Sequence, residues 1–335
     1  MRVIVTGGLG YIGSHTTLEL LKNDNEVLII DNLSNSSKKV LSKLEFISKK
    51  KISFIDDDIS NIYNYTKDIR NFNPKAIIHF AGLKSVEESQ ILPLLYYQQN
   101  VSNSIKLINF IDEIQCKVFI FSSSATVYGN PVYLPYDEKH PLNPTNTYGK
   151  TKLIIETILN DWSKTSSDKS AVLLRYFNPV GAHYSGLIGE NPIGTPNNLM
   201  PYVSKVAVGK TKELLVYGNN YDTRDGTGIR DYIHVMDVAE GHINTYEHFK
   251  VASPQILNLN LGTGKGTSVL ELVKSYEESY KVDIPYEFVD RRPGDLAKVV
   301  ADNSRAKSIL GWYPRKNLLE MCQDAWRWEI RKSKL

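Results

Sequence analysis

Apolar and polar positions change period several times along this chain. Short runs of β-branched and aliphatic residues alternate with stretches in which apolar residues return every three or four positions. The runs Arg2–Thr6, Glu26–Ile30, Lys51–Ile55, Ala76–Phe80, Val118–Phe121 and Ala171–Tyr176 read as strands. Between them, Ile12–Lys22, Tyr97–Ile111 and Tyr148–Ser163 carry helical spacing. Short, nearly continuous apolar strands alternating with helices predict a doubly wound parallel sheet with helices on both faces, an α/β fold.

After Asn178 the regularity fades, and Pro179, Gly181, Gly186 and Gly189 follow closely. That shift places a domain boundary there: residues 1–178 form the first domain and 179–335 a smaller, mixed α/β second one. Helical patterns at Leu199–Val208, Met236–Lys250 and Val269–Tyr280 are predicted in the second half, with a strand at Gln255–Leu261. The helix and strand within 236–262 could rejoin the first sheet.

Composition narrows the classes. With 335 residues, 41% hydrophobic and 23% charged, the chain has enough apolar surface for a packed core, which excludes a disordered protein. A net charge of +3 is too small to imply nucleic-acid or membrane-surface binding. Cys116 and Cys322 stand far apart, and no Cys-x-x-Cys or paired-His spacing occurs, so neither a disulfide framework nor a metal site is expected. No signal pattern precedes the first strand and no apolar run approaches a membrane span, so a cytoplasmic protein is expected.

Two constellations carry chemistry. Gly7, Gly10 and Gly13 form Gly-x-x-Gly-x-x-Gly between the first strand and the first helix. Glycine there permits a tight turn and lets backbone N–H groups approach a pyrophosphate, as in a Rossmann-type dinucleotide site. Asp31 ends the second strand, where a carboxylate can accept both ribose hydroxyls of an adenosine. No arginine follows in Asp31–Ser36 to receive a 2′-phosphate, so NAD is favoured over NADP. Gly262–Thr267 also follows a strand, but lacks the third glycine of a dinucleotide turn and the Lys-Ser/Thr of a P-loop. It reads as a turn with Thr267 or Ser268 as helix cap.

The second constellation is Tyr148-x-x-x-Lys152, whose members share one helix face. An ammonium beside the phenol is expected to lower its pKa towards neutrality. Two more such pairs occur, Tyr63/Lys67 and Tyr246/Lys250. They read as solvated helix faces, because the Tyr148 pair alone follows a strand ending in Ser122-Ser123-Ser124. A serine there can hydrogen-bond the same substrate oxygen as the tyrosine. His79, at a strand end, reads as a packed histidine, and of Asp56-Asp57-Asp58 only Asp58 is expected to matter.

Ser124, Tyr148 and Lys152 on a domain that begins Thr-Gly-Gly-x-Gly-Tyr-Ile-Gly resemble the extended short-chain dehydrogenase/reductases, and more narrowly the UDP-glucose 4-epimerases. The similarity runs almost end to end, through Phe80–Lys84, Phe121–Gly129, Arg175–Ala182, Asn198–Pro201, Asp225–Val235 and Arg291–Asp295. It implies that Tyr11 and Ile12 join the glycines, and that Asp31, Asn32, Leu33, Ser34, Asn35, Ser36, Asp58, Ile59, Phe80, Ala81, Gly82, Leu83 and Lys84 contact NAD. Lys152 would also bond the nicotinamide ribose, with Phe177 near the nicotinamide. The UDP-sugar would lie against Asn178, Asn198, Leu199, Leu215, Val216, Tyr217, Arg230, Arg292, Pro293, Gly294 and Asp295. Gln99 replaces an asparagine common in relatives. Val299 occupies a position that helps set the room around the sugar.

The implied activity is reversible C4 epimerisation of UDP-glucose and UDP-galactose in galactose metabolism, extending in principle to N-acetylated UDP-sugars. A nucleotide-sugar 4,6-dehydratase or decarboxylase, or a non-catalytic NAD-responsive regulator, is the alternative. Dehydratases carry Thr-Asp-Glu where this chain has Ser124-Ala125-Thr126. The resemblance also implies a homodimer paired through Tyr97–Ile111 and Tyr148–Ser163, with Leu107, Phe110 and Ile158 expected on outward faces.

Overall fold

In a computed structural model, which describes residues 1–191, 198–292 and 294–332, the first half builds six strands. They are β1 (Arg2–Thr6), β2 (Glu26–Ile30), β3 (Ser53–Ile55), β4 (Ala76–His79), β5 (Val118–Ser124) and β6 (Ser170–Tyr176). The second half adds β7 (Asn178–Val180), β8 (Leu214–Tyr217), β9 (Ile229–Arg230), β10 (Tyr232–His234), β11 (Ile256–Leu261), β12 (Thr267–Ser268), β13 (Tyr286–Val289) and β14 (Lys298–Val299). The main sheet has seven strands in the order β11-β6-β5-β4-β1-β2-β3, all parallel. This is a doubly wound Rossmann-type sheet, extended at one edge by β11.

Alternation along the strands feeds two cores. Val3, Val5, Ile29, Ile78, Ile120 and Val172 pack on one face, and Ile4, Leu28, Ile30, Ile77, Phe119 and Phe121 on the other. Burial on both faces explains why these strands read as continuous apolar runs. The chain order reverses between β1 and β4. A crevice opens there beyond the carboxyl ends of the strands, the usual ligand position in such sheets.

Later strands form small sheets. β7 pairs with β10, β8 with β13, and β9 lies between β12 and β14. They pack with the helices Leu199–Ala207, Val269–Tyr280 and Leu318–Lys332 around a third core of Val203, Val216, Leu272, Tyr276 and Met321. Ser268 caps the Val269–Tyr280 helix in a capping box with Glu271.

Two expectations are corrected. Tyr97–Ile111 is not one α-helix. Tyr97–Ser102 is π-helical and Asn103–Glu113 α-helical. Leu107 and Phe110 do not face outward but lie in the second core, and Ile158 is partly buried against it. Outward apolar side chains on this flank include Ile91, Leu92, Leu94, Leu95, Ile105 and Ile154, with Leu94 80% exposed.

Candidate active site

The glycines after β1 are set by close approach. Gly7 has φ +66°, and a Cβ on it would stand 2.8 Å from the Ala81 amide nitrogen. A Cβ on Gly13 would meet the Gly7 carbonyl oxygen at 2.2 Å. The loop after β1 is thus pressed against the loop after β4, on the two sides of the crevice. Gly10 begins the Tyr11–Lys22 helix with no side-chain cap and no acidic residue in the first turn, leaving that end suited to an anion. The side chains of Tyr11 and Ile12 do not face this cradle. Tyr11 donates to the Gly181 carbonyl at 2.7 Å, and Ile12 packs on the core, so both offer backbone there.

Asp31 does more than expected. Its carboxylate accepts from the Leu9 amide at 2.9 Å, the Leu33 amide at 3.0 Å and the Ser36 hydroxyl at 2.7 Å. The first of these fixes the glycine loop, and the second accompanies the left-handed φ of +58° at Leu33. A carboxylate has about four acceptor positions, and Oδ2, which takes the Leu9 amide, keeps room for another donor while Oδ1 takes both Leu33 and Ser36. Ser34 and Asn35 are exposed at the same rim. Asn32 donates to Asp58 at 2.6 Å, and Asp58 caps the turn that begins at Ile59, whose side chain lies in the second core.

Beyond β4, Phe80 packs on His242 and Gly82 has φ +151°. Leu83 is clamped by Asn100, which accepts from its amide at 2.8 Å and donates to its carbonyl at 3.0 Å. Asn100 also donates to the Thr151 hydroxyl, one residue before Lys152. Sequence reasoning missed Asn100. Its neighbour Gln99 accepts instead from Asn103 at 3.2 Å. Lys84 pairs with Glu190 at 2.9 Å.

The catalytic candidates meet at the end of β5. Asn146 caps the Thr147–Lys164 helix by accepting from Gly149, and this brings Tyr148 and Lys152 against the serines. Lys152 Nζ donates to the Ser122 carbonyl at 2.8 Å and lies 5.7 Å from the Tyr148 ring centroid. Ser124 accepts from the Thr126 amide and hydroxyl at 3.2 and 3.0 Å. One helical turn past Lys152, Glu156 accepts from Ser123 and makes two hydrogen bonds with the buried guanidinium of Arg175. Continuing the Tyr148/Lys152 face by four residues in the sequence would have pointed to Glu156.

The lowered tyrosine pKa expected from Lys152 is not what the apoprotein has. Burial pushes the Tyr148 phenol up to about 12, against a downward pull from a hydrogen bond with Ser124. Burial likewise brings Lys152 down to about 8, partly offset by Glu156. Desolvation dominates because a charged form of either group is held away from water. Of the decoy pairs, Tyr63 is exposed, but Tyr246 is a core residue rather than part of a solvated face. His79 is buried, sharing hydrogen bonds with Thr6 and Ser104.

Across the cleft, two arginines converge on one carboxylate. Asp295 accepts from Arg292 Nε at 3.0 Å and pairs with Arg230 at 3.6 Å. The Arg292 guanidinium stands 4.7 Å from the Tyr217 ring centroid. Along β8, Leu215 and Tyr217 are half-buried while Val216 is in the third core, so Val216 offers only backbone to the cleft. Val299 pairs with Arg230 between β14 and β9, and packs on the cluster that contains Phe177 and Tyr136. Asn178 donates its amide to the Asp231 carbonyl. Asn198 donates to Glu190 at 2.9 Å, just ahead of Leu199. Gly294 has φ +83° with open space around it, and Pro293 lies outside the described residues. Among the described residues, no group of three or more His, Cys, Asp or Glu could hold a metal ion.

A dinucleotide cradle at the strand-order reversal, with Ser, Tyr and Lys at its mouth, defines an extended short-chain dehydrogenase/reductase. Comparison with known proteins refines the class. The GDP-mannose 4,6 dehydratase family model matches residues 4–325. UDP-glucose 4-epimerase of Bacillus subtilis is 49% identical over 98% of this chain and 97% of that protein. The enzyme of the same name from Dictyostelium discoideum is 48% identical over 98% and 95%. Among solved structures, UDP-glucose 4-epimerase from Stenotrophomonas maltophilia, with bound NAD and formylated UDP-arabinopyranose, superposes with a TM-score of 0.97. It is 44% identical and covers 100% of this chain and 99% of that one. The Bifidobacterium longum enzyme in complex with NAD+ and UDP gives 0.95 at 45% identity, with 99% of both chains covered. The chain belongs to this family and, within it, to the UDP-glucose 4-epimerases.

Proposed function

We propose that this protein interconverts UDP-glucose and UDP-galactose by inverting C4 through a 4-keto sugar, with NAD retained between turnovers, as a step of galactose metabolism. The observation that carries the reading is the meeting of Ser124, Tyr148 and Lys152 beside a glycine cradle, in a chain so similar to the epimerases. The cradle fits a dinucleotide: a Cβ would fill it at Gly7 and Gly13, and Asp31 and Asp58 supply acceptors for the adenosine end. When bound, NAD supplies the two-electron acceptor and donor for C4, and its cationic nicotinamide favours the Tyr148 phenolate.

Tyr148 takes the O4 proton as C4 becomes a ketone, and Ser124 hydrogen-bonds the same oxygen. Lys152 stabilises the negative phenolate and keeps the phenol near the Ser122 end of β5. Arg230 and Arg292 hold the diphosphate by charge-assisted hydrogen bonds while the keto sugar turns its other face to the cofactor. Tyr148 then returns the proton to O4, and no net oxidation results.

A dehydratase needs an acid and a base for elimination. Ala125 and Thr126 form a short turn there instead, and the Thr126 hydroxyl is bonded to Ser124. A regulator without catalysis would not need the tyrosine and lysine together. In this reading residues 1–178, with 236–262, bind the cofactor, and the remainder binds the UDP-sugar. The exposed Ile91, Leu94, Ile105 and Ile154 support a homodimer through this flank. The two buried free cysteines suit a reducing cytoplasm, and no helix among the described residues is long and apolar enough to cross a membrane.

The reading is tested by following UDP-galactose and UDP-N-acetylglucosamine by NMR with the purified holoenzyme. Formation of UDP-glucose from the first supports it. Accumulation of a 4-keto-6-deoxy sugar assigns a dehydratase.

A further inference from the structure

Nothing in the sequence singles out Glu190, yet its carboxylate stands where the two halves of the site meet. One oxygen, Oε1, accepts from Lys84 Nζ at 2.9 Å and from Asn198 Nδ2 at 2.9 Å. Lys84 follows β4 in the loop that faces the glycine cradle. Asn198 stands at the start of the Leu199–Ala207 helix on the substrate side. Burial pushes up the phenol of Tyr11, in the glycine turn, and the nearby Glu190 carboxylate adds to that shift.

The backbone under Glu190 is fixed. Its carbonyl accepts from Trp328 Nε1 at 2.9 Å, and Gly189 lies so close to the indole that a Cβ would stand 2.5 Å from Cγ. The Glu190 side chain is 8% exposed, whereas that of Lys84 is 50% exposed. A carboxylate this buried must keep donors on it. An exposed lysine on a flexible stem can turn to a competing anion. Once Lys84 turns towards an anionic ligand in the crevice, Asn198 is, among the described residues, the donor left on Oε1, and the desolvated carboxylate holds that amide more strongly.

We propose that Glu190 is a positioning residue that couples the two halves of the site: it yields Lys84 to the pyrophosphate of the bound dinucleotide and thereby fixes Asn198 for the UDP-sugar. The proposal rests on the epimerase reading above and adds a residue through which one half reports to the other. It concerns substrate recognition, so its effect falls on KM and on UDP affinity, not on the chemical step.

The test uses wild-type holoenzyme and the variants E190A, E190Q, N198A and E190A/N198A. E190A should raise the KM for UDP-galactose and the Kd for UDP about tenfold, with kcat within about threefold of wild type. E190Q keeps an acceptor for the Asn198 amide and should lose roughly threefold. The double variant should bind no worse than N198A, because both changes break one interaction. A purely structural Glu190 would lower the melting temperature without that non-additivity. Unchanged KM and Kd in E190A, or additive losses in the double variant, would overturn the proposal. If E190A does not fold, E190Q combined with N198A provides the same cycle. Wild-type holoenzyme that neither binds UDP nor epimerises would refute the functional reading itself, an outcome separate from a null result at Glu190.

Discussion

Along the crevice between β1 and β4 this chain offers mainly backbone, whereas the opposite wall offers mainly side chains. The cradle comes from two neighbouring loops, held at contact distance at Gly7, with the helix packed onto the turn at Gly13, and tied by Asp31 to the end of β2. The wall proposed for the substrate draws Tyr217, Arg230, Arg292 and Val299 from four separate segments, gathered by Asp295 and by the pairing of β9 with β14. A backbone site tolerates few changes at its glycines. A side-chain site can be retuned one residue at a time. The difference teaches where a substitution abolishes binding and where it only shifts a preference.

Gly13→Ala should give the largest effect. The added methyl would meet the Gly7 carbonyl oxygen at 2.2 Å, with no flexible side chain to give way. The variant is expected to purify without NAD or not to fold, read by cofactor absorbance after denaturation. A variant with normal NAD content would mean that the cradle is not a tight backbone site.

Acid should also act first on the cofactor half. Burial brings His15 and His79 down to about 3 and His183 and His242 to about 4. All four are neutral when folded but take up protons near pH 6.5 when unfolded. Stability is therefore full above about pH 6.5 and falls as pH drops from there towards 4, by about 1.4 kcal/mol per pH unit for each proton. Urea unfolding from pH 7 to 5 checks this, with a slope of roughly four protons expected at the acid end. A flat profile would contradict the buried, neutral assignment.

Tyr148→Phe is expected to lower kcat by about a thousandfold while leaving NAD bound, because the phenol moves a proton and does not anchor the cofactor. Asp31→Asn should narrow the preference for NAD over NADP by on the order of tenfold, measured as relative affinities of the apoprotein. The smallest effect is expected on the side-chain wall. Val299→Tyr should cut the ratio of kcat/KM for UDP-N-acetylglucosamine over UDP-glucose by roughly fivefold, because the bulkier ring crowds the turning sugar. An unchanged ratio would mean that Val299 does not border the pocket.

The two walls were not equally legible. β1, its glycine turn and Asp31 lie within one short stretch, and each residue's role follows from local geometry. The parallel sheet was readable because both faces of each strand are buried. Burial itself was not readable residue by residue. Leu107 and Phe110 were expected on the outward face of a single helix, but Tyr97–Ser102 is π-helical ahead of their own helix and both are core residues. The Tyr148 phenol was expected to be acidic from its lysine neighbour, but desolvation, invisible in sequence, raises it and outweighs the downward pull of the Ser124 hydrogen bond. Val216, expected at the substrate, has its side chain turned inward by the period-two alternation of β8, so only its backbone is available to the cleft. Glu190 had no local signal, because its partners lie 106 residues earlier and 8 later.

The central claim is that C4 is oxidised and reduced again by the same retained NAD while Tyr148 only moves the proton of O4. The most direct measurement follows UDP-galactose carrying deuterium at C4 through turnover in ordinary water, with the holoenzyme and no added cofactor. The account predicts UDP-glucose with deuterium still at C4 and no accumulating reduced nicotinamide. Deuterium lost to solvent, or net formation of reduced cofactor, would contradict it.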